Sequence, residues 1–401
     1  MRVDAQTNVN GINAQFLYIH RISLIAIGLW PYHRTMLVQV QSSLFSFSTI
    51  SVIIFQLTTF LTTELTVDFV IKVLSTTLFL LLCVIQYNSF WINTHVVKRV
   101  LENLLYVCSE LNDENEIAII KEYGHFAKRV AIGFILLAMY GVFVCSFLPI
   151  LPRIFGIFFL VNKSESHHRN TYIMTEYFVD QEKHFYFILL HLYSALFIAV
   201  ATLLGTAILM TGYFIHFCGL FNIASYRIEQ AINSHEVTNR KYKSEMRKKI
   251  TNAVDIHRKT IEFIDFFLYN FEGTFILIIM IIIICLSLNL FRIFQALSEN
   301  SIENFVLHSI LMGAIFVYSF VGHYTGQEVT DHYNYIFSTA YNVVWYTAPV
   351  CVQKLILFLL QRSSKPYGLK FGGLYITSLE SFASISTASM SYFTVMYSIQ
   401  K

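Results

Sequence analysis

The chain has 401 residues, of which 55% are hydrophobic and only 13% are charged. Soluble proteins carry about 25% charged residues, so this composition excludes an ordinary water-soluble protein. The net charge of +3 at pH 7 gives no indication of a nucleic-acid partner. The six cysteines have no metal-ligand spacing, and we expect neither a metal site nor a cofactor.

Seven segments are apolar over about the 20 residues that a helix needs to cross roughly 30 Å of hydrocarbon. They are residues 44–61, 66–92, 130–151, 185–221, 263–290, 305–321 and 374–396. An eighth apolar segment, 350–360, is too short to span, so we expect it to bury its apolar side against protein. The first 40 residues lack the pattern of a cleavable signal peptide. The predicted fold is an all-α membrane protein with seven transmembrane helices.

The distribution of Lys and Arg predicts the orientation. With the N terminus inside, the cytoplasmic segments hold 21 Lys and Arg, and the outside segments hold five, or six with Arg292. Because Lys and Arg accumulate on the cytoplasmic side, we predict a cytoplasmic N terminus and an extracellular C terminus. The N-glycosylation sequon at Asn162 then lies outside, where glycosylation occurs. Within the second span, Asp68 and Lys72 are four residues apart and are expected to neutralise each other.

The last predicted span is the most polar of the seven. At 100° per residue, six side chains fall within roughly an 80° sector of the helix. These are Glu380, Ser384, Thr387, Ser391, Val395 and Ser398. One interpretation is the wall of a water-filled pore, in which Glu380 attracts cations and Val395 narrows the path. The other is a helix-packing interface, because small hydroxyl residues also let helices approach closely. The pore interpretation requires several copies around a symmetry axis.

Other classes of protein fit the sequence less well. The chain lacks H-E-x-x-H, G-x-S-x-G and phosphate-loop motifs, so we predict that it is not an enzyme. A G-protein-coupled receptor would need the opposite orientation and its Asp-Arg-Tyr and Asn-Pro-x-x-Tyr signatures, which are absent. The basic run at 240–249 is similar to a calmodulin or anionic-lipid site, but a basic cytoplasmic loop is also what the orientation alone demands.

Three short motifs resemble the insect odorant-receptor family. They are Gly28-Leu29-Trp30-Pro31, the stretch from Ala340-Tyr341 to Trp345-Tyr346, and Ser391-Tyr392-Phe393-Thr394-Val395. The resemblance implies a tetrameric, odorant-gated, non-selective cation channel in the plasma membrane of olfactory sensory neurons. It also implies a seventh helix split into a cytoplasmic anchor part and a pore-lining part. By motif correspondence, Val395 takes the position of the outer gate, and Ser398 and Ile399 lie at the pore exit.

The resemblance also indicates which kind of subunit this is. The co-receptor of the family has a much longer second cytoplasmic loop than the segment 222–262 here, so the chain resembles a ligand-tuning subunit that assembles with the co-receptor. A gustatory-type receptor channel of the same superfamily is an alternative, although the usual gustatory ending is absent. The expected organisation is a cytoplasmic N-terminal segment (1–43), a six-helix transmembrane bundle with the ligand pocket and long cytoplasmic helix extensions (44–325), a cytoplasmic anchor region (326–371), and the pore-lining helix with a short extracellular C terminus (372–401).

In this family the odorant pocket lies within one subunit, in the outer half of the membrane, between spans two, three, four and six. From topology, the expected ligand-binding residues are Phe69, Val73, Tyr140, Phe143, Phe147, His191, Ser194, Leu307 and Ile310. An aromatic, apolar pocket suits a small volatile or lipophilic ligand bound by shape and dispersion. Ordinary helix packing is the alternative for each aromatic residue, and a hydrogen-bonded core histidine is the alternative for His191. Membrane lipid is the other expected partner.

Overall fold

A computed structural model describes residues 12–147, 173–181, 183–233, 240–365, 367–373 and 375–400. The helices, in chain order, are α1 (Ile12–Ala26), α2 (Met36–Leu57), α3 (Thr59–Thr62), α4 (Val67–Ile92), α5 (Thr94–Ser109), α6 (Glu114–Phe147), α7 (Phe185–Asn233), α8 (Arg240–Ser298), α9 (Ile302–Asn342), α10 (Val350–Ser363) and α11 (Leu379–Gln400). A 3-10 turn (Trp345–Thr347) and two short strands, β1 (Lys370–Phe371) and β2 (Tyr375–Ile376), complete the described elements. The long helices α7, α8 and α9 pack on one another at the centre, with α6 against α7 and both α4 and α11 against α8.

Six helical segments among the described residues are long and apolar enough to cross a membrane. They are Met36–Thr62, which joins α2 and α3, Val67–Ile92, Glu114–Phe147, Phe185–Ile232, Lys243–Ser298 and Ile302–Asn342. These segments correspond to the first six predicted spans, so the chain is a multi-pass helical membrane protein. The seventh span and the orientation of the termini stay predictions.

Several helices extend beyond the limits of the spans predicted from apolar length. The helix of the first span, α2, begins at Met36, before the predicted limit at 44, and Thr35 caps it: the N–H of Val38 donates to Thr35 Oγ1 at 3.4 Å. The helix of the third span, α6, begins at Glu114, before the predicted limit at 130, and the predicted end at 148–151 lies outside the described residues.

The helices of the fourth, fifth and sixth spans also continue well beyond the predicted spans. With 49, 59 and 41 residues, α7, α8 and α9 are much longer than the roughly 20 residues that a bilayer requires. Helix extensions beyond the apolar spans were expected, and their position relative to the membrane stays a prediction. Each of these extensions buries an apolar stripe, for example Ile228 on α7, Ile250 on α8 and Ile336 on α9.

The helix α10 lies at the end of the bundle formed by these extensions. Its residues Val352, Ile356 and Leu359 are buried, and the hydroxyl of Tyr333 on α9 donates to the carbonyl of Arg362 at 3.0 Å. At 1.5 Å per residue, its 14 residues cannot cross the roughly 30 Å of hydrocarbon. The short apolar segment 350–360 is therefore a helix that buries one side against its own chain, as predicted.

Aromatic rings fill the core at this end. The ring of Tyr333 lies 4.7 Å from Tyr367, 5.3 Å from His257 and 6.0 Å from Phe221, between ring centroids. The hydroxyl of Tyr367 donates to Asp265 Oδ1 at 3.1 Å. Burial, and after it the Asp265 carboxylate, raises the pKa of Tyr367 far above its ordinary value, so this hydroxyl stays protonated and remains a donor.

The Gly28-Leu29-Trp30-Pro31 motif ends α1. Gly28 has φ +73°, its N–H donates to Ile25 O at 3.1 Å, and the N–H of Leu29 donates to Leu24 O at 2.8 Å. These two bonds form a Schellman motif, in which the glycine takes the left-handed position. The following residues, Leu29 and Trp30, are buried. The motif thus turns the chain away from α1 while fixing it to the bundle.

The start of the last helix differs from the prediction. The strands β1 and β2 pair antiparallel, Lys370 with Ile376 and Phe371 with Tyr375, so the last helix begins later than the predicted 372 or 374. Gly372 and Gly373 make the turn with φ +63° and +66°, values that favour glycine. The helix α11 begins only at Leu379, where Ser378 Oγ accepts the N–H of Ser381 at 3.1 Å.

Candidate functional site

A cavity of about 420 Å³, hereafter the large cavity, lies between α4, α6, α7 and α9. Its lining is mostly aliphatic and aromatic, and its side-chain hydroxyl groups come from Tyr140, Ser309 and Tyr318. Small-molecule sites commonly measure roughly 300 to 1,000 Å³ and combine an apolar lining with a few polar groups. The large cavity therefore suits a small apolar ligand that makes one or two hydrogen bonds.

Small residues on two facing helices leave this space open. Gly141 on α6 and both Gly313 and Ala314 on α9 line the large cavity. A Cβ added at Gly313 would meet no atom within 4 Å, and one at Gly141 would stand 3.4 Å from Ile310 Cγ2. Larger side chains at these positions would thus reduce the volume available to a ligand.

Two of the nine sequence-predicted ligand residues, Tyr140 and Ile310, line the large cavity. Of the others, Phe69, Val73 and Leu307 are buried but lie outside its lining. The remaining four are Phe143, Phe147, His191 and Ser194. The rings of Phe143 and Phe147 are exposed on α6, with their centroids 4.5 Å apart.

The His191 ring is held by two hydroxyl groups. Ser51 Oγ lies 3.0 Å from Nε2, and the Tyr177 hydroxyl lies 2.8 Å from Nδ1. Ser194 Oγ donates to the His191 carbonyl at 2.8 Å. The Tyr177 ring also stacks on Phe55 at 4.2 Å. His191 thus joins α2 to α7 through hydrogen bonds, as the core-histidine alternative expects, and its role as a ligand donor stays a prediction.

The large cavity lies farther along the helices from the predicted outer ends than the residues chosen from topology. On α4 it uses Phe79 where 69 and 73 were expected, and on α7 it uses Leu196 to Ala207 where 191 and 194 were expected. The four helices are the expected ones, corresponding to spans two, three, four and six. The small residues of α6 and α9 were the available signal, since they mark the place where two helices leave room between them.

The predicted polar stripe of α11 does not pack against its own chain. All seven pore and gate candidates are exposed: Glu380, Ser384, Thr387, Ser391, Val395, Ser398 and Ile399. The hydroxyl groups of Ser384, Thr387 and Ser391 donate to the carbonyl oxygens one turn earlier, at 3.0, 2.9 and 2.9 Å. Within the described part of the chain, this stripe therefore forms no packing interface.

The opposite face of α11 attaches it to α8. Ile385, Ser389 and Phe393 are buried, and Ser389 Oγ lies 3.3 Å from the carbonyl oxygen of Ile283. The Phe393 ring lies 4.8 Å from that of Phe294. This packing fixes the direction in which the exposed stripe points.

One aromatic cluster connects the cavity-lining helix α9 to α11. The Phe382 ring lies 5.0 Å from Phe316 and 5.4 Å from Phe320, both on α9. Between these two residues in the sequence, Val317 and Tyr318 line the large cavity. The same turns of α9 therefore contact the cavity on one side and the first turn of α11 on the other.

The basic run at 240–249 lies in the first turns of α8. Lys243, Arg247 and Lys248 are exposed, whereas Met246 and Ile250 are buried against the rest of the chain. Calmodulin captures the apolar face of a target helix. Here that face is already covered, so calmodulin binding would require removing this part of α8 from the core. The glycosylation candidate Asn162 lies outside the described residues.

The fold and cavity define a multi-pass helical membrane protein with an apolar site of ligand size between its helices. A sequence model of the 7tm Odorant receptor family matches residues 66–390, and the chain belongs to that family. The expectation from the three short motifs is confirmed, and membership of a receptor family agrees with the prediction that the chain is not an enzyme.

Individual relatives agree with this assignment. Odorant receptor 30a of Drosophila melanogaster is 31% identical over 104 residues, which span 26% of this chain and 28% of that relative. The structure of the olfactory receptor OR5 from Machilis hrabei in complex with eugenol has a TM-score of 0.78 at 16% identity, covering 97% of this chain and 98% of that one. A second structure of OR5 from Machilis hrabei has a TM-score of 0.74 at 17% identity, covering 95% of this chain and 96% of that one. At these identities the structural likeness shows the shared fold.

Proposed function

We propose that this chain is the odorant-binding subunit of an odorant-gated, non-selective cation channel in olfactory sensory neurons. The observation that carries the proposal is the large apolar cavity between α4, α6, α7 and α9. Its ligand is a small volatile or lipophilic molecule, held mainly by dispersion and by burial of its apolar surface. Eugenol, the ligand of the Machilis receptor structure, belongs to this class of molecule.

A role as the tuning subunit is supported by the connection between α7 and α8. Helix α7 ends at Asn233 and α8 begins at Arg240, so only residues 234–239 separate them. The long loop that distinguishes the co-receptor of the family has no counterpart of similar length here. The partner is then the co-receptor, within a tetramer whose axis is lined by the last helix of each subunit.

In the proposed mechanism, ligand binding shifts α9 and, through it, the pore helix. A ligand opens the channel only if it binds the open arrangement better than the closed one. A ligand that contacts Val317 and Tyr318 acts on the helix that also holds Phe382 of α11 through Phe316 and Phe320. Movement of α11 then widens the path at Val395, which is exposed on the stripe that faces the axis in this proposal.

The proposed topology places the N terminus in the cytoplasm and both Asn162 and the C terminus outside, at the plasma membrane. An epitope at residue 1 should therefore stain only in permeabilised cells, and removal of the sequon by Asn162→Gln should abolish any glycan-dependent mass shift. Staining of intact cells would contradict this topology and favour a G-protein-coupled heptahelical receptor.

The decisive experiment is expression with and without the co-receptor, with currents recorded against a panel of small lipophilic odorants. Odorant-evoked currents that need both subunits support the tuning-subunit role. Gly313→Val narrows the large cavity and should lower odorant sensitivity, whereas Gly273→Val, on α8 and outside the cavity lining, should not. A response that depends wholly on G proteins, or equal effects of the two valines, would refute the proposal.

A further inference from the structure

A second and smaller cavity lies next to the first, toward the end of the bundle that holds α10. This small cavity measures about 80 Å³ and is lined by residues of α6, α7, α8 and α9 and by Leu369, Phe371 and Thr377 at the hairpin. Its lining is largely apolar, with a few polar groups such as Thr211 and Ser319. The family assignment and the proposed function leave it without a role.

Three residues line both cavities: Phe134 of α6, Ala207 of α7 and Tyr318 of α9. Before Tyr318 in the sequence, Gly313, Ala314 and Val317 face the large cavity. After it, Ser319 and Gly322 face the small one. Because Ala207 is small, the two rings form most of the partition, and Tyr318 is the residue at which α9 passes from one cavity to the other.

The small cavity is too small for a separate odorant. An engineered apolar cavity of about 150 Å³ holds benzene, which has six carbons, so about 80 Å³ holds two or three carbons. Its apolar lining favours carbon over polar atoms. These dimensions match the last two or three carbons of an unbranched aliphatic chain whose remainder fills the large cavity.

We propose that Tyr318 sets the maximum length of the ligand, by separating the large cavity from a subsite for the terminal carbons of an unbranched aliphatic molecule. This inference rests on the proposed odorant-binding function. With Tyr318 in place, the ring blocks a chain that is longer than the large cavity. With the ring removed, the two spaces join and longer chains enter.

The test uses a series of unbranched primary alcohols with four to twelve carbons, applied to the chain expressed with the co-receptor. Tyr318→Ala should move the most effective chain length upward by two or three carbons. Each buried methylene is worth about a fourfold gain in affinity, so sensitivity to the longer alcohols should rise by about 15- to 60-fold. An unchanged optimum in a variant that still responds to alcohols would overturn the proposal.

Glycine positions with open space provide the controls. A Cβ at Gly322, which lines the small cavity, meets no atom within 4 Å, and the same is true of Gly273, which lines neither cavity. Adding Gly322→Val to Tyr318→Ala should return the optimum to the original length, whereas adding Gly273→Val should leave it shifted. A shift that persists with Gly322→Val would show that the extra length is accommodated elsewhere.

Two further measurements separate the possible failures. Tyr318→Leu, a smaller deletion, replaces the alanine variant if the latter does not reach the cell surface, and it should still move the optimum upward. Thermal stabilisation of the purified protein by the same alcohols reports binding without current. If no odorant evokes current but the length dependence of stabilisation shifts in Tyr318→Ala, the channel function fails and the length limit stands. If currents occur and neither readout shifts, the length limit fails alone.

Discussion

Arg292 Nη1 lies 2.9 Å from Asp68 Oδ1, which joins the end of α8 to the start of α4. The spacing along one helix predicted Lys72 as the partner of Asp68, and that expectation is corrected by this contact with a residue 224 positions away. Arg292 is only 1% exposed and also donates to Gln295 Oε1 at 2.6 Å. Adjacent to it in the chain, Phe291 packs with Phe393 of α11, so the ion pair sits beside the attachment of the last helix.

Loss of this ion pair should destabilise the bundle. Asp68→Asn leaves the buried guanidinium of Arg292 without a full counter-charge. We expect the free energy of unfolding to fall by roughly 1 to 3 kcal/mol. The cost of breaking a fully buried pair is larger, but the Asp68 side chain is 40% exposed. Thermal unfolding of the detergent-purified protein measures the change. The matched variant Glu64→Gln, which removes an exposed carboxylate just before α4, should have little effect; an equal loss in both would assign the effect to net charge.

A second ion pair offers a comparison between buried and exposed charges. Arg227 of α7 bonds both oxygens of Glu116 on α6, at 2.5 and 2.7 Å, and both side chains are largely buried. Glu116→Ala should therefore cost about 3 to 5 kcal/mol. Asp255→Ala removes the partner of both Arg258, which is exposed, and Lys259, and it should cost much less. Unfolding midpoints of the two variants test this difference, and similar midpoints would contradict the assigned burial.

The sequence predicted which segments form helices better than it predicted where those helices begin and end. Runs of about 20 apolar residues identify helices wherever lipid is the main solvent, which is why the first six spans were found. Hydropathy could not show how far α7, α8 and α9 continue, because their extensions are stabilised by neighbouring helices, as the Tyr333 ring on α9 is by Phe221 on α7. The glycines at 372 and 373 indicate a turn before α11, and that local signal was available.

The candidate site was predictable only in outline. The helices that surround the cavity followed from the family resemblance, but its depth depends on where small residues of separate helices meet. Gly141 and Ile310 are in contact range only because α6 and α9 cross there. The Asp68–Arg292 pair has the same origin, since its partners are brought together by the packing of α4 on α8. The spacing of residues within one helix predicts neither the position of the cavity nor the partner of Asp68.

The aromatic contact between α9 and α11 should transmit ligand binding to the pore. Phe382→Ala removes the ring that lies within 5.4 Å of both Phe316 and Phe320, so we expect a smaller maximal odorant current at normal surface expression. Ligand affinity, measured as thermal stabilisation by odorant, should change little because Phe382 does not line the cavity. Phe47→Ala, which removes an exposed ring from α2, serves as the control. A parallel loss of affinity and current would instead indicate a distorted cavity.

A substitution in the exposed stripe of α11 can distinguish a pore wall from a contact between subunits. Val395 is 54% exposed on this stripe, and an apolar ring of such residues around an axis would hold back water and ions in the closed state. Val395→Ser makes that constriction wettable, so the resting current should rise severalfold in the complex with the co-receptor, without odorant. Met390→Ser, also exposed on α11 but outside the stripe, should leave the resting current unchanged.

If Val395→Ser instead lowers assembly with the co-receptor and produces no resting current, the stripe is a helix-packing surface between subunits. A pore wall predicts the reverse, because a hydroxyl in a water-filled path alters conduction while the buried face that holds α11 to α8 through Phe393 remains intact.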